Sequence, residues 1–306
     1  MGALFLFFND SNSRNIILDE ISKIQSCRAE CVFKPVNRIL RMVRRMHICS
    51  GLPGIGIWFL DWKNKIKEVQ NCICIASLYS PEILKWVRRK NPNVKCINYY
   101  WDVVSISGYP VIHSPYFENW SFDARDCRKY DMKFNPQFFV SGIRLPDEPA
   151  IYDIVYVGAD RQGRLEGRTR LVRKYFSLFQ DLGINAYFYY VTESADVPEQ
   201  IRNDRSLSEE EYYGICAKGR AILEIVEPDT YWATLRPLLA LSNHRKVITN
   251  NPEIVKERFY IKDNVFVLGT DNAAKLKEFI ANGFTPIPQE VMDYYSSETW
   301  CGRFLE

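Results

Sequence analysis

The segment RAILEIVEPDTYWATLRPLLALSNHRKVITNN, Arg220 to Asn251, places an arginine, a threonine and two glutamates around one strand-to-helix turn. Arg236 supplies a fixed positive charge in the first turn of a helix, where backbone N–H groups already favour an anion. Thr234 either caps that helix or lends its hydroxyl to the same anion. Glu224 and Glu227 sit at and just past the strand end. Each carboxylate suits hydrogen bonds from a hydroxyl-rich ligand, or an ion pair with Arg220 or Lys246. The set reads as a phosphate-binding turn.

The elements that hold these residues follow from pattern. Ala221 to Val226 is a short apolar run, as in a strand buried on both faces. Pro228 and Asp229 break it, and a helix starts near Thr234. Pro237 falls in its first turn, where a missing N–H costs little. Asn243 stops the helix and Lys246 to Thr249 is the next strand. In parallel α/β sheets ligands bind outside the carboxyl ends of strands. Upstream, Tyr152 to Val157 is a strand and GADRQGRLEG, Gly158 to Gly167, reads as a glycine loop opening a helix. Its N–H groups can face a diphosphate, with Gly158, Arg161 and Arg164 as candidates; a solvated loop is the plain alternative.

The first half repeats the strand–helix rhythm of a doubly wound domain. Strands are expected at Ala3 to Phe8, Ile57 to Leu60, Cys72 to Ala76 and Val94 to Tyr100. Asp10, Asp102, His113 and Glu118 are placed at or after strand ends, where a general base would stand. The catalytic candidates are Asp10 and Asp102, with Glu227 from the second half, which would take a sugar hydroxyl or the ribose. Lys34 to His47 is a basic helix. Val36, Ile39, Leu40, Val43 and Met46 fall at helical spacing, and Arg38, Arg41, Arg44 and Arg45 fill the rest. Gly51 to Gly56 contains G-x-x-G-x-G, which is not the dinucleotide fingerprint.

A chain of 306 residues is natural for two domains. Nine scattered cysteines form neither a disulfide framework nor a zinc set, and fit a reducing cytosol. Asp123 and Asp126 lack the spacing of a D-x-D metal motif, so no metal is expected. The apolar start Met1 to Phe8 has no basic n-region and is too short to span a bilayer, which places the protein inside the cell. Residues 1–150 hold 21 Lys/Arg against 14 Asp/Glu, and residues 151–306 hold 19 against 23. A basic half calls for an acidic partner. The reading settles on an anionic membrane surface met by residues 34–47, or a lipid pyrophosphate, rather than nucleic acid.

At these residues the chain resembles the two-domain GT-B glycosyltransferases of bacterial capsule and lipopolysaccharide clusters. The resemblance lies in an acidic strand (Ile222-Leu223-Glu224-Ile225), a T-x-R helix start (Thr234-Leu235-Arg236) and a K-x-I-T-x-N strand end (Lys246 to Asn251). It extends to the S-F-D…K-Y…N-P-Q-F-F pattern of residues 121–139. It implies an α/β fold of two Rossmann-like domains facing a cleft, with a C-terminal helix crossing back to the first. The implied domains are 1–148 joined by 288–306, and 149–287. The first would bind a glycan or lipid-linked acceptor. The second would bind a nucleotide-sugar donor through Gly158, Arg161, Arg164, Glu224, Thr234, Leu235, Arg236 and Asn250, with no cofactor and no metal. Leu239 stands where the pattern usually carries a glutamate for the nucleotide ribose. A sugar-nucleotide epimerase and a non-catalytic glycan-binding relative are the alternatives.

Overall fold

The computed structural model describes residues 2–8, 16–160, 166–227 and 234–306. The chain divides into two compact units, Met1–Gly142 with Tyr294–Glu306, and Ile143–Asp293.

The first unit is built on six parallel strands: β1 (Ala3–Phe7), β2 (Cys27–Cys31), β3 (Asn71–Ile75), β4 (Lys95–Tyr100), β5 (Glu118–Ser121) and β6 (Lys133–Phe134), in the order β2-β1-β3-β4-β5-β6. The switch in direction falls between β1 and β3. Both strands are apolar runs because helices cover both faces, so ALFLF is buried at every position. Cys72 and Cys74 are fully buried strand residues. The helices are α1 (Ile16–Lys23), α2 (Arg38–Cys49), α3 (Ser80–Lys90), α4 (Val104–Ser107) and α5 (Ala124–Tyr130). Asp123 caps α5 by accepting from the Arg125 and Asp126 N–H groups.

Two expectations for this unit are corrected. Ile57 to Leu60 is not a strand. Ile55–Trp58 is a 3-10 turn, and Phe59 makes a single antiparallel bridge to Phe33. The residues before Asn37 also stay outside the basic helix, because Asn37 caps it by accepting from the Leu40 N–H.

The second unit holds β7 (Tyr152–Asp160), β8 (Ala186–Thr192), β9 (Arg202–Asn203), β10 (Gly219–Glu224), β11 (Lys246–Thr249) and β12 (Val265–Val267), in the order β12-β11-β10-β7-β8-β9. All neighbours are parallel. Counted within the unit this is the 3-2-1-4-5-6 arrangement of a Rossmann domain, with its switch point between β7 and β10. Its helices are α6 (Glu166–Asp181), α7 (Glu209–Ala217), α8 (Leu235–Ser242), α9 (Leu276–Ala281) and α10 (Gln289–Tyr294). The capping box of α7 is complete: Ser208 accepts from the Glu211 N–H, and Glu211 accepts from the Ser208 N–H. Ile154, Phe179, Phe188, Leu223 and Ile248 form the middle of the core.

The chain returns to the first unit in α11 (Ser297–Arg303). Trp300 stacks on Phe5 of β1 at 5.5 Å, and Phe304 meets Tyr99 of β4 edge-on at 5.4 Å. Both side chains are fully buried, which stabilises this docking by about 1.5–3 kcal/mol each. Glu20 of α1 anchors the same region: it accepts from the Ser297 hydroxyl at 3.1 Å and from the Ser141 N–H at 3.0 Å.

Candidate functional site

Among the described residues, Arg236, Thr234 and Glu224 meet at the switch point of the second unit. Arg236 lies in the first turn of α8, and its guanidinium turns inward. Nη2 donates to the Val157 carbonyl of β7 at 2.8 Å, and Nη1 to the Leu223 carbonyl of β10 at 3.4 Å. The guanidinium carbon lies 5.4 Å from the Tyr156 ring centroid. The arginine therefore ties together the two strands between which a Rossmann domain opens.

Glu224 closes β10 and is buried, 1 % exposed. It accepts the Thr234 hydroxyl at 2.6 Å and the Thr249 hydroxyl at 2.7 Å. Burial raises its pKa, against the pull of those two hydroxyls and of Arg236. Thr234 is the N-cap of α8: its oxygen accepts from the Arg236 N–H at 3.3 Å while its proton goes to Glu224. One threonine thus links strand end and helix start. Leu235 follows it, half-buried, as the first residue of α8.

Asn250 makes a reciprocal pair with Val226, accepting from its N–H at 2.8 Å and donating to its carbonyl at 3.0 Å. That pair extends the β10–β11 contact past the strands and fixes the path of the backbone toward Glu227. Glu227 in turn accepts from the Arg168 N–H at 3.0 Å, with the Arg168 Nε 3.8 Å away. A carboxylate thus lies on the N-terminal turn of α6, the position that favours negative charge.

Gly158 is corrected. It is a strand residue, because β7 runs on to Asp160. A Cβ there would lie 2.7 Å from the Tyr156 Cζ. The glycine makes room for the tyrosine beneath Arg236. Arg161 and Arg164 lie outside the described residues, as does Asp10. Leu239 in α8 is half-buried and brings no polar side-chain atom to the site.

Asp102 stands two residues past β4 in the first unit. Its side chain is exposed, yet the protein around it removes enough water to raise its carboxyl pKa. Its neighbour Tyr109 donates to the Ala76 carbonyl, just past β3, at 2.6 Å, and is raised by burial and by the Asp102 charge. A carboxylate and a phenol therefore share the carboxyl end of this sheet. Glu118 does not: it opens β5, at the amino end, and takes the Trp120 indole and Lys133 at 3.0 Å each. His113 lies with it on a separate cavity of about 580 Å³ at that end.

Pattern reading did not reveal Thr249, Arg168 or Tyr156 as partners in the site. Thr249 had a signal, since it ends a strand beside the one that carries Glu224. Among the described residues no three His, Cys, Asp or Glu side chains are placed to hold a metal. None of the described helices is long and apolar enough to cross a membrane.

No protein-family model matches the chain, and no curated protein sequence is significantly similar to it. Solved structures do match. Sucrose-phosphate synthase from Thermosynechococcus elongatus superposes with a TM-score of 0.56 at 10% identity, covering 99% of this chain and 96% of that one. The S. aureus MnaA–UDP structure gives 0.52 at 10% identity, covering 99% and 94%. AviGT4, a glycosyltransferase of avilamycin A biosynthesis, gives 0.51 at 12% identity, covering 99% and 96%. The chain has the GT-B fold. At these identities the likeness concerns architecture, namely two Rossmann-like domains with the last helix returned to the first.

Proposed function

We propose that this protein is a glycosyltransferase that moves a sugar from a nucleotide-sugar to a glycan or lipid-linked acceptor in surface polysaccharide synthesis, without a metal ion. The observation that carries the reading is the switch point between β7 and β10, where Arg236, Thr234, Glu224, Asn250 and Glu227 gather in a Rossmann unit. Ligands of such units bind at that switch point. The reading is supported by a fold shared with a sucrose-phosphate synthase, an avilamycin glycosyltransferase and a UDP-bound protein.

In the proposed reaction an acceptor hydroxyl oxygen bonds to the anomeric carbon as the bond from that carbon to the diphosphate oxygen breaks. The nucleoside diphosphate leaves with the electron pair, and the hydroxyl proton passes to a carboxylate. The N-terminal end of α8 and the positive charge of Arg236 favour the developing diphosphate charge. Arg236 acts chiefly by holding the ends of β7 and β10 together, since both terminal nitrogens already serve backbone carbonyls. Asp102 is the base proposed on the first unit, its raised pKa strengthening it. Arg161, Arg164 and Asp10 keep their proposed roles as diphosphate counter-charges and as an alternative base.

Thermal shift against UDP, GDP, CDP and dTDP and their sugars tests the donor site. One nucleotide should raise Tm, since ligand at 100 times Kd adds about 2.7 kcal/mol to the native state. No response to any of them removes the reading. Donor turnover in EDTA then tests the metal-free step. An isomerised sugar-nucleotide appearing without acceptor would indicate an epimerase instead.

A further inference from the structure

Helix α2 is turned the opposite way from its pattern. Its core-facing residues are Arg44, 4 % exposed, and Ile48, fully buried. Arg44 lies 4.1 Å over the Phe33 ring and donates to the Lys34 carbonyl at 3.2 Å. With an arginine holding the inner face, the apolar stripe points outward. Ile39 is 72 % exposed, Met46 68 %, Met42 63 % and Val43 46 %. At about 100° per residue, Ile39, Met42 and Met46 fall within roughly 60° of one another, and Arg38 and Arg45 line one edge of that arc. Both arginines are exposed.

The stripe continues beyond the helix. His47 is within hydrogen-bond distance of the Pro53 carbonyl, 2.8 Å, and receives the Trp58 indole N–H at 2.9 Å. These contacts pin the following segment to the helix end, and it carries exposed Leu52 and Ile57. No Asp or Glu occurs in the sequence between Glu30 and Asp61.

We propose that α2 and the segment after it insert into an anionic lipid surface, with Ile39, Met42 and Met46 entering the acyl boundary and Arg38 and Arg45 meeting lipid phosphates. Charge decides the occupant. An apolar arc edged by cations without intervening acids is the composition of a helix that lies in a membrane interface. A second copy of the chain would bring the same arginines against these in an isologous contact, which like charge opposes. The surface therefore differs from a purely electrostatic patch, which would release at high salt.

Co-sedimentation with phosphatidylcholine vesicles, with and without phosphatidylglycerol, tests this. Wild type should bind the anionic vesicles and retain part of that binding at about 1 M salt, where the Debye length is about 3 Å. Ile39→Ser/Met42→Ser/Met46→Ser should lose about tenfold or more at both salt levels, because the apolar area is gone. Arg38→Gln/Arg45→Gln should weaken binding at low salt and change little at high salt. All these side chains are exposed, so Tm should stay at the wild-type value and any nucleotide-induced shift should persist; donor binding and membrane binding thus fail separately. Sedimentation of the triple serine variant equal to wild type overturns the proposal. So does a wild-type dimer in analytical ultracentrifugation that this variant dissolves.

Discussion

The Arg236 guanidinium donates to the Val157 carbonyl at 2.8 Å, so the first turn of α8 is bound to a strand 79 residues away in the chain. The same group reaches the Leu223 carbonyl on the neighbouring strand. Replacing Arg236 by alanine should lower stability by about 1.5–3 kcal/mol, the range for hydrogen bonds to a charged group. Replacing it by lysine keeps the charge but not the fork. Urea unfolding should show both variants destabilised, lysine less so, and calorimetry should show nucleotide affinity partly retained in the lysine variant only. Wild-type stability in the alanine variant would mean that the bridge contributes nothing.

Glu224 leads to a pH test. Its folded pKa is raised by burial above the ordinary value of 4.5. The folded state then holds this proton more tightly than the unfolded state. The carboxyl accordingly favours folding most below its unfolded pKa, and that contribution is lost as pH rises through the folded value. Glutamine cannot ionise. Wild type should therefore lose stability relative to Glu224→Gln as pH rises from about 4 to 7. A stability gap that is flat in urea titrations across this range would contradict the assignment.

Asp102 is tested by rate. As a base it must be ionised, and its raised pKa moves the acid limb of the kcat/KM profile upward from the ordinary 3.8. Asp102→Asn should lower the rate by about 10²–10⁴ and leave the donor-induced Tm shift unchanged. A variant with full activity and an unmoved acid limb would shift the role to another carboxylate.

Gly158 and Tyr156 are coupled through space, since a Cβ at Gly158 would lie 2.7 Å from the Tyr156 Cζ. Gly158→Ala should cost about 1–3 kcal/mol by overpacking. Tyr156→Ala should relieve most of that cost, so the double variant is less destabilised than the sum of the singles. Strict additivity in a double-mutant cycle would show that the glycine serves something other than the tyrosine.

Much of the fold was legible because parallel strands covered on both faces must be apolar along most of their length, and runs such as ALFLF in β1 and AIL in β10 show it. Helix starts were legible where a side chain caps its own turn: Thr234 acts within two residues, so local sequence contains the whole interaction. Local sequence also determined that α2 has an apolar stripe. Periodicity states that a face exists and leaves its direction open; Phe33, reached through tertiary packing, chose Arg44 for the inside. The same holds at the switch point between β7 and β10. Sequence placed Arg236 at a helix start, but only the pairing of β7 with β10 supplied the two carbonyls that draw its guanidinium inward. Interactions within one turn are settled by neighbours in the chain, whereas those between strands far apart in sequence exist only once the sheet has formed.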